Sequence, residues 1–120
     1  MALVRQSVLI VDDHEDFRAS ARALIELEGF EVVGEAADVV GALAAVAALR
    51  PDIVLLDIQL PDGDGFSAAE QLAILPDPPK VVLISSRDAA SYGPRLIGTS
   101  ARGFLPKSAL SGKALAALVG

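Results

Sequence analysis

Six residues of this chain have side chains suited to chemistry: Asp12, Asp13, Asp57, Ser85, Ser86 and Lys107. Each stands just beyond the end of a short apolar run, so a fold that gathers the ends of those runs would gather these groups. Three carboxylates brought together repel one another unless a cation neutralises them. Hard oxygen donors, in a chain with no cysteine and one histidine, suit Mg²⁺ or Mn²⁺ rather than zinc. A divalent cation beside a carboxylate, with a lysine and a hydroxyl at the same edge, is the equipment of phosphoryl transfer, where catalysis is chiefly positioning and charge neutralisation. Asp57 is then the candidate nucleophile and would form an acyl phosphate. Taken singly, aspartates after strands read as helix caps; the lysine and the hydroxyl beside them shift the reading to a site.

The elements that must position these groups follow from the apolar pattern. Residues 7–11, 31–35, 53–56, 80–84 and 103–105 read as strands. The first, third and fourth are nearly unbroken Val, Leu and Ile, as expected of parallel strands covered on both faces. Helical patterns lie between them. Phe17, Ala21, Leu24 and Ile25 share one face of a first helix that stops before Gly29. Asp38 can cap a second, with Ala42, Leu43, Val46 and Leu49 as its apolar face, ending before Pro51. A third spans 66–75, and Ser108 can cap a last one carrying Leu110, Ala114, Leu115 and Leu118. In 88–99, Gly93-Pro94 and Gly98 interrupt the pattern, which predicts a short, kinked or mobile segment. Five alternations of strand and helix with right-handed crossovers imply an α/β, doubly wound, five-stranded parallel sheet of flavodoxin-like order 2-1-3-4-5, with helices on both faces. In such sheets function collects outside the carboxyl ends of the strands, where the six residues lie.

Composition narrows the function classes. A length of 120 residues fits one domain, and no apolar run approaches the roughly 20 residues of a membrane span. The 52% apolar content and mean hydropathy of +0.50 therefore read as core. No membrane association and no secretory signal are expected, and a cytoplasmic location is inferred. With a net charge of −6 and ten scattered Lys and Arg residues, direct nucleic acid binding by this domain is not expected.

The chain resembles the receiver domains of bacterial two-component response regulators, the CheY-like fold, over essentially its whole length. The marks are Val8-Leu9-Ile10-Val11-Asp12-Asp13, Leu55-Leu56-Asp57-Ile58-Gln59-Leu60-Pro61 with Gly63 and Gly65, Ser85, and Phe104-Leu105-Pro106-Lys107. The resemblance implies that Asp57 accepts a phosphoryl group from a sensor histidine kinase. It implies that Asp13 and Asp57 bind Mg²⁺ directly, that Asp12 acts largely through water, and that the backbone carbonyl of Gln59 completes the protein's ligands. Ser85 and Lys107 would hold phosphate oxygens, and Ser85 and Phe104 would form a two-state switch. The chain would then be a phosphoacceptor that assists its own phosphorylation and dephosphorylation, not an enzyme in the usual sense. Leu105-Pro106-Lys107-Ser108, with Ala101-Arg102-Gly103 before it, is most similar to receivers attached to LuxR/NarL-type helix-turn-helix output domains, which implies transcription control. No such output domain is expected within residues 1–120. Pairing through the fourth and fifth elements is the expected route to a homodimer, and Arg87 and Gln59 are positions where the family tunes acyl phosphate lifetime.

Blander readings stand beside these. Lys107 could be a solvated lysine, and Phe104 plain core. Pro61, Gly63 and Gly65 read as turn or structural residues, since Asp62 and Asp64 would repel a phosphate. His14 reads as an exposed first-turn residue with no metal partner. A haloacid-dehalogenase-like phosphatase would need an acid two residues after its nucleophile, where Asp12 has His14. A flavin module would need a neutral phosphate loop, where Asp12, Asp13, Glu15 and Asp16 stand. A degenerate receiver that binds partners without phosphorylation remains the alternative.

Overall fold

The computed structural model describes residues 5–120. We number the strands of its main sheet β1 (Ser7–Val11), β2 (Glu31–Ala36), β3 (Ile53–Asp57), β4 (Lys80–Ser85) and β5 (Gly103–Pro106). All four pairings are parallel, in the spatial order β2-β1-β3-β4-β5, which is the 2-1-3-4-5 arrangement the alternation of elements implies. Strands β2 to β5 each run one residue further than the apolar runs suggest. Asp57 and Ser85 are thus the last residues of their strands, still paired to Ile84 and Pro106 respectively. Along β2 the pairing shifts between Val8–Val32 and Leu9–Gly34, leaving Val33 surplus.

The helices are α1 (Glu15–Leu27), α2 (Val39–Leu49), α3 (Gly65–Ala73), α4 (Pro94–Gly98) and α5 (Gly112–Val119). Because successive strand residues point to opposite faces, the sheet feeds two cores. Val8, Ile10, Ile53, Leu55, Val82 and Ile84 pack with Ala21 and Ile25 of α1 and Leu115 and Val119 of α5. Leu9, Val11, Val54, Leu56, Val81 and Leu83 pack with Ala42 and Val46 of α2 and Ala68, Ala69 and Leu72 of α3. Burial on both faces is why these strands read as continuous apolar runs.

Capping fixes where the helices start. Asp38 accepts from the Gly41 N–H at 2.6 Å, and α2 ends at Leu49, after which Arg50 turns left-handed (φ 48°) ahead of Pro51. Asp64 accepts from Ser67 N–H at 2.9 Å, so α3 begins at Gly65 and stops at Ala73, short of the expected 75. The last helix corrects the sequence reading. Ser108 lies in a 3-10 turn (Lys107–Ala109), and Ser111 is the cap, accepting from Ala114 N–H at 3.0 Å. Leu110, expected on the helix, precedes it and is buried in the first core. Across the tight turn, Lys107 points to the sheet edge and Leu110 into the core three residues later. The segment 88–99 is short and kinked, as Gly93-Pro94 suggests: a 3-10 turn (Ala89–Ser91), Gly93 at φ +52°, and a five-residue α4 opened by Pro94.

A two-residue antiparallel ribbon, Gln59–Leu60 against Gly63–Asp64, follows β3 directly and was not anticipated. Pro61 and Asp62 form its turn. The Asp62 carboxylate takes the Val39 and Val40 N–H groups at 2.7 and 3.0 Å, tying the ribbon to the start of α2; these bonds hold its carboxyl below the usual range.

Candidate functional site

The sheet order makes β1 and β3 neighbours, and their ends place Asp12 and Asp57 side by side. Donor atoms of Asp12, Asp13, His14 and Asp57 all lie within 4.8 Å of one another. Asp12 is fully buried and Asp57 is 4% exposed, while Asp13 is open to solvent. Lys107 reaches across from the end of β5: its Nζ is 2.5 Å from Asp12 Oδ2 and 3.5 Å from Asp57 Oδ2. Its ammonium also sits 4.5 Å from the centre of the Phe17 ring. The solvated-lysine reading of Lys107 is therefore wrong, since the side chain is largely enclosed.

Backbone and side-chain donors orient the carboxylates. Asp12 Oδ1 accepts the His14 N–H at 2.8 Å, and Arg18 donates to the Asp12 carbonyl at 2.7 Å. Gln59 N–H donates to Asp57 Oδ1 at 3.2 Å. Asp12 Oδ2 is buried without a well-formed hydrogen bond; the lysine beside it supplies charge but not ideal donor geometry. Burial and the adjacent Asp12 charge push the Asp57 carboxyl up to about 6, against the opposing pull of Lys107 and the Gln59 N–H. Two buried carboxylates, one under-bonded oxygen and an open third carboxylate make a donor set of hard oxygens that fits a divalent cation.

His14 is exposed, as expected, but it is the residue before α1 and not in its first turn. Its Nδ1 lies 3.1 and 3.2 Å from Asp12 and Asp13 oxygens, so it adjoins the acidic cluster. On the other side of Asp57, Ser85 is fully buried. Its Oγ accepts the Arg87 N–H at 3.1 Å and is 2.5 Å from the Tyr92 hydroxyl. Phe104 is half-buried and meets the Tyr92 ring edge-on, with centroids 5.8 Å apart. Gly65 is the first residue of α3, and its N–H donates to the Ile58 carbonyl at 2.8 Å. A Cβ there would come within 2.5 Å of the Asp57 carbonyl oxygen, so only glycine lets α3 start against the site's backbone.

Two contributors escaped the sequence reading. Tyr92, the one tyrosine of the chain, carries no motif, and only its distance of seven residues from Ser85 hinted at a shared location. Phe17 packs against the first core, as its place on the apolar face of α1 implies; its position beside the lysine depends on how Lys107 reaches across from the end of β5.

The fold and site together define a doubly wound α/β protein with an acidic, lysine-bridged pocket at the strand carboxyl ends. The response regulator receiver domain model matches residues 8–119, and the chain belongs to that family. It is similar to the DNA-binding transcriptional activator DevR/DosR of Mycobacterium tuberculosis, 41% identical over 99 residues that cover 78% of this chain and 44% of that protein. It is similar to the response regulator GacA of Pseudomonas aeruginosa, 34% identical over 103 residues, 85% of this chain and 48% of that one. Among solved structures, the signal receiver domain of NarL from Mycobacterium tuberculosis aligns with a TM-score of 0.88 and 31% identity, covering 98% of both chains. The chain spans about half the length of the curated relatives it matches. Among the described residues no helix is long and apolar enough to cross a membrane.

Proposed function

We propose that the chain is a phosphoryl-accepting receiver unit in which Asp57 takes a phosphoryl group from the phosphohistidine of a sensor histidine kinase. The observation that carries this reading is the pair of buried carboxylates, Asp12 and Asp57, sharing Lys107 beside the open Asp13. Asp13, Asp57 and the Gln59 carbonyl would hold Mg²⁺ or Mn²⁺, with Asp12 acting through water. The cation, when bound, supplies charge neutralisation for the transferred oxygens. Asp57 attacks phosphorus in line; the O–P bond forms as the P–N bond to the donor imidazole breaks, and the donor nitrogen keeps that electron pair. Lys107 stabilises the charge on the transferred group, and Ser85 donates to one of its oxygens.

The signal leaves through α4, β5 and α5, and the same face, with Ile97 exposed on α4, is where a second copy would pair. A helix-turn-helix output domain lying outside this chain would receive the signal, consistent with the transcriptional activator among its relatives. The test is intact mass after incubation with acetyl phosphate, with and without Mg²⁺, on the wild type and Asp57→Asn. A Mg²⁺-dependent gain of one phosphoryl group, lost in the variant, is expected. No gain in the wild type would leave the phosphorylation-independent interaction module as the better reading.

A further inference from the structure

The Ser85 hydroxyl already has a partner in this structure. Its Oγ is 2.5 Å from the phenol oxygen of Tyr92, a shorter separation than is usual for O–H···O bonds. The same Oγ accepts the Arg87 N–H, and in the pair with Tyr92 either hydroxyl can be the donor, so the Ser85 oxygen is engaged locally from two sides. Tyr92 is itself held by its ring, which meets Phe66 and Phe104 edge-on at 5.7 and 5.8 Å. Phe66 in turn carries the Arg95 guanidinium 4.2 Å above its face, and Arg95 is paired to Asp64 at 3.3 Å. One hydroxyl contact thus links Ser85, at the end of β4, to the short, kinked segment that precedes β5 and to the ribbon after Asp57.

We infer that Tyr92 is a positioning residue for phosphoryl acceptance: its hydroxyl holds the Ser85 hydroxyl in the unphosphorylated protein and gives it up when Ser85 turns to a phosphoryl oxygen on Asp57. The inference rests on the phosphoacceptor reading above. With Ser85 as the donor, its one proton cannot serve two acceptors well at once; with Tyr92 as the donor, turning the Ser85 Oγ toward a phosphoryl oxygen carries it out of reach of the phenol. Either way the Ser85–phosphoryl bond competes with the Ser85–Tyr92 bond. Loss of that bond leaves the Tyr92 phenol seeking another partner and frees the 3-10 turn that carries it.

The experiment compares wild type, Tyr92→Phe, Ser85→Ala and the double variant. The rate of Mg²⁺-dependent phosphorylation by acetyl phosphate is read by intact mass. Tyr92→Phe keeps the ring between Phe66 and Phe104 and removes only the competing hydroxyl, so phosphorylation should rise about threefold to tenfold, the worth of one net hydrogen bond. In the Ser85→Ala background the same change should have no effect, because nothing remains to be released. An equal change in both backgrounds would assign Tyr92 a packing role only and overturn the inference, as would an unchanged rate in Tyr92→Phe. The chain holds one tyrosine and no tryptophan, so its ultraviolet emission reports Tyr92 alone. That emission should change on phosphorylation of the wild type and stay constant in Ser85→Ala; constancy in the wild type would also overturn the inference. Failure of the underlying reading has a different signature, absence of any mass gain in all four proteins, and would remove the inference with it.

Discussion

The two sides of Asp57 are built differently. Toward β1 and β3, the residues Val8 to Val11 and Ile53 to Asp57 are all buried, and Asp12 and Asp57 project from strands covered on both faces. On β5 itself no residue is fully buried, the connection from β4 carries a 3-10 turn and a five-residue helix, and Gly93 takes a positive φ. On the proposed function, the groups that would hold a cation and a nucleophile at fixed separation sit on the fully buried, stiff side. Groups that would respond to phosphorylation sit on the side whose short, less buried elements are expected to open first. Lys107 and the Ser85–Tyr92 contact join the two sides.

The largest effect that tests this division is on chemistry. Asp57→Asn should reduce phosphorylation to background by intact mass, while leaving the soft side folded. It should also stabilise the cation-free protein. Folding raises the Asp57 carboxyl from 3.8 to about 6, so the folded state binds the extra proton between those values. Wild-type stability should therefore fall as pH climbs through that window, and the penalty should persist above about 6. Asparagine removes this slope, giving on the order of 1–2 kcal/mol at neutral pH in urea unfolding; a variant no more stable at pH 7 than at pH 4 relative to wild type would contradict the electrostatic account.

Next in size, Lys107→Gln should slow phosphorylation about 10²-fold, as for loss of one preorganised charge-stabilising donor. It should also strand Asp12 without a countercharge and lower the melting temperature without Mg²⁺. Native-state hydrogen exchange addresses the comparison directly. Amides of β3 should open only with global unfolding, whereas those of α4 and β5 should exchange several kcal/mol sooner; equal protection would erase the distinction. Gly65→Ala should cost about 1–3 kcal/mol by denaturant midpoint, because its methyl would press on the Asp57 carbonyl. The smallest effect is expected for Arg95→Ala, a half-exposed pair worth at most about 1 kcal/mol. It should raise exchange in α4 and leave β3 untouched.

The stiff side was legible in the sequence and the soft side only in outline. Parallel strands buried on both faces leave a plain record, and runs such as Val8 to Val11 gave the sheet, its order and the carboxylates at its edge. Gly93 and Pro94 announced a broken segment because each acts on its own backbone. The start of α5 was misread because Ser108 and Ser111 are equal candidates locally, and the choice depends on where Lys107 and Leu110 must point. The ribbon after Asp57 is too short to leave a periodicity. Tyr92 and Phe17 join the site through contacts with distant elements, which no spacing rule encodes.

The surplus residue in β2 has a consequence for how the molecule behaves among its own copies. An open sheet leaves one flank of each outer strand without a hydrogen-bonding neighbour, an invitation for another chain to add on. On one margin the surplus residue Val33 breaks the register of the ladder, and charged side chains line the strand, Glu31 and Glu35, the latter paired with Arg18 and Arg22 at 2.9 and 3.0 Å. On the other, β5 is four residues long and closes with Pro106, which has no N–H to offer. Neither margin presents a long flat ladder, so the sheet offers a second molecule little to extend.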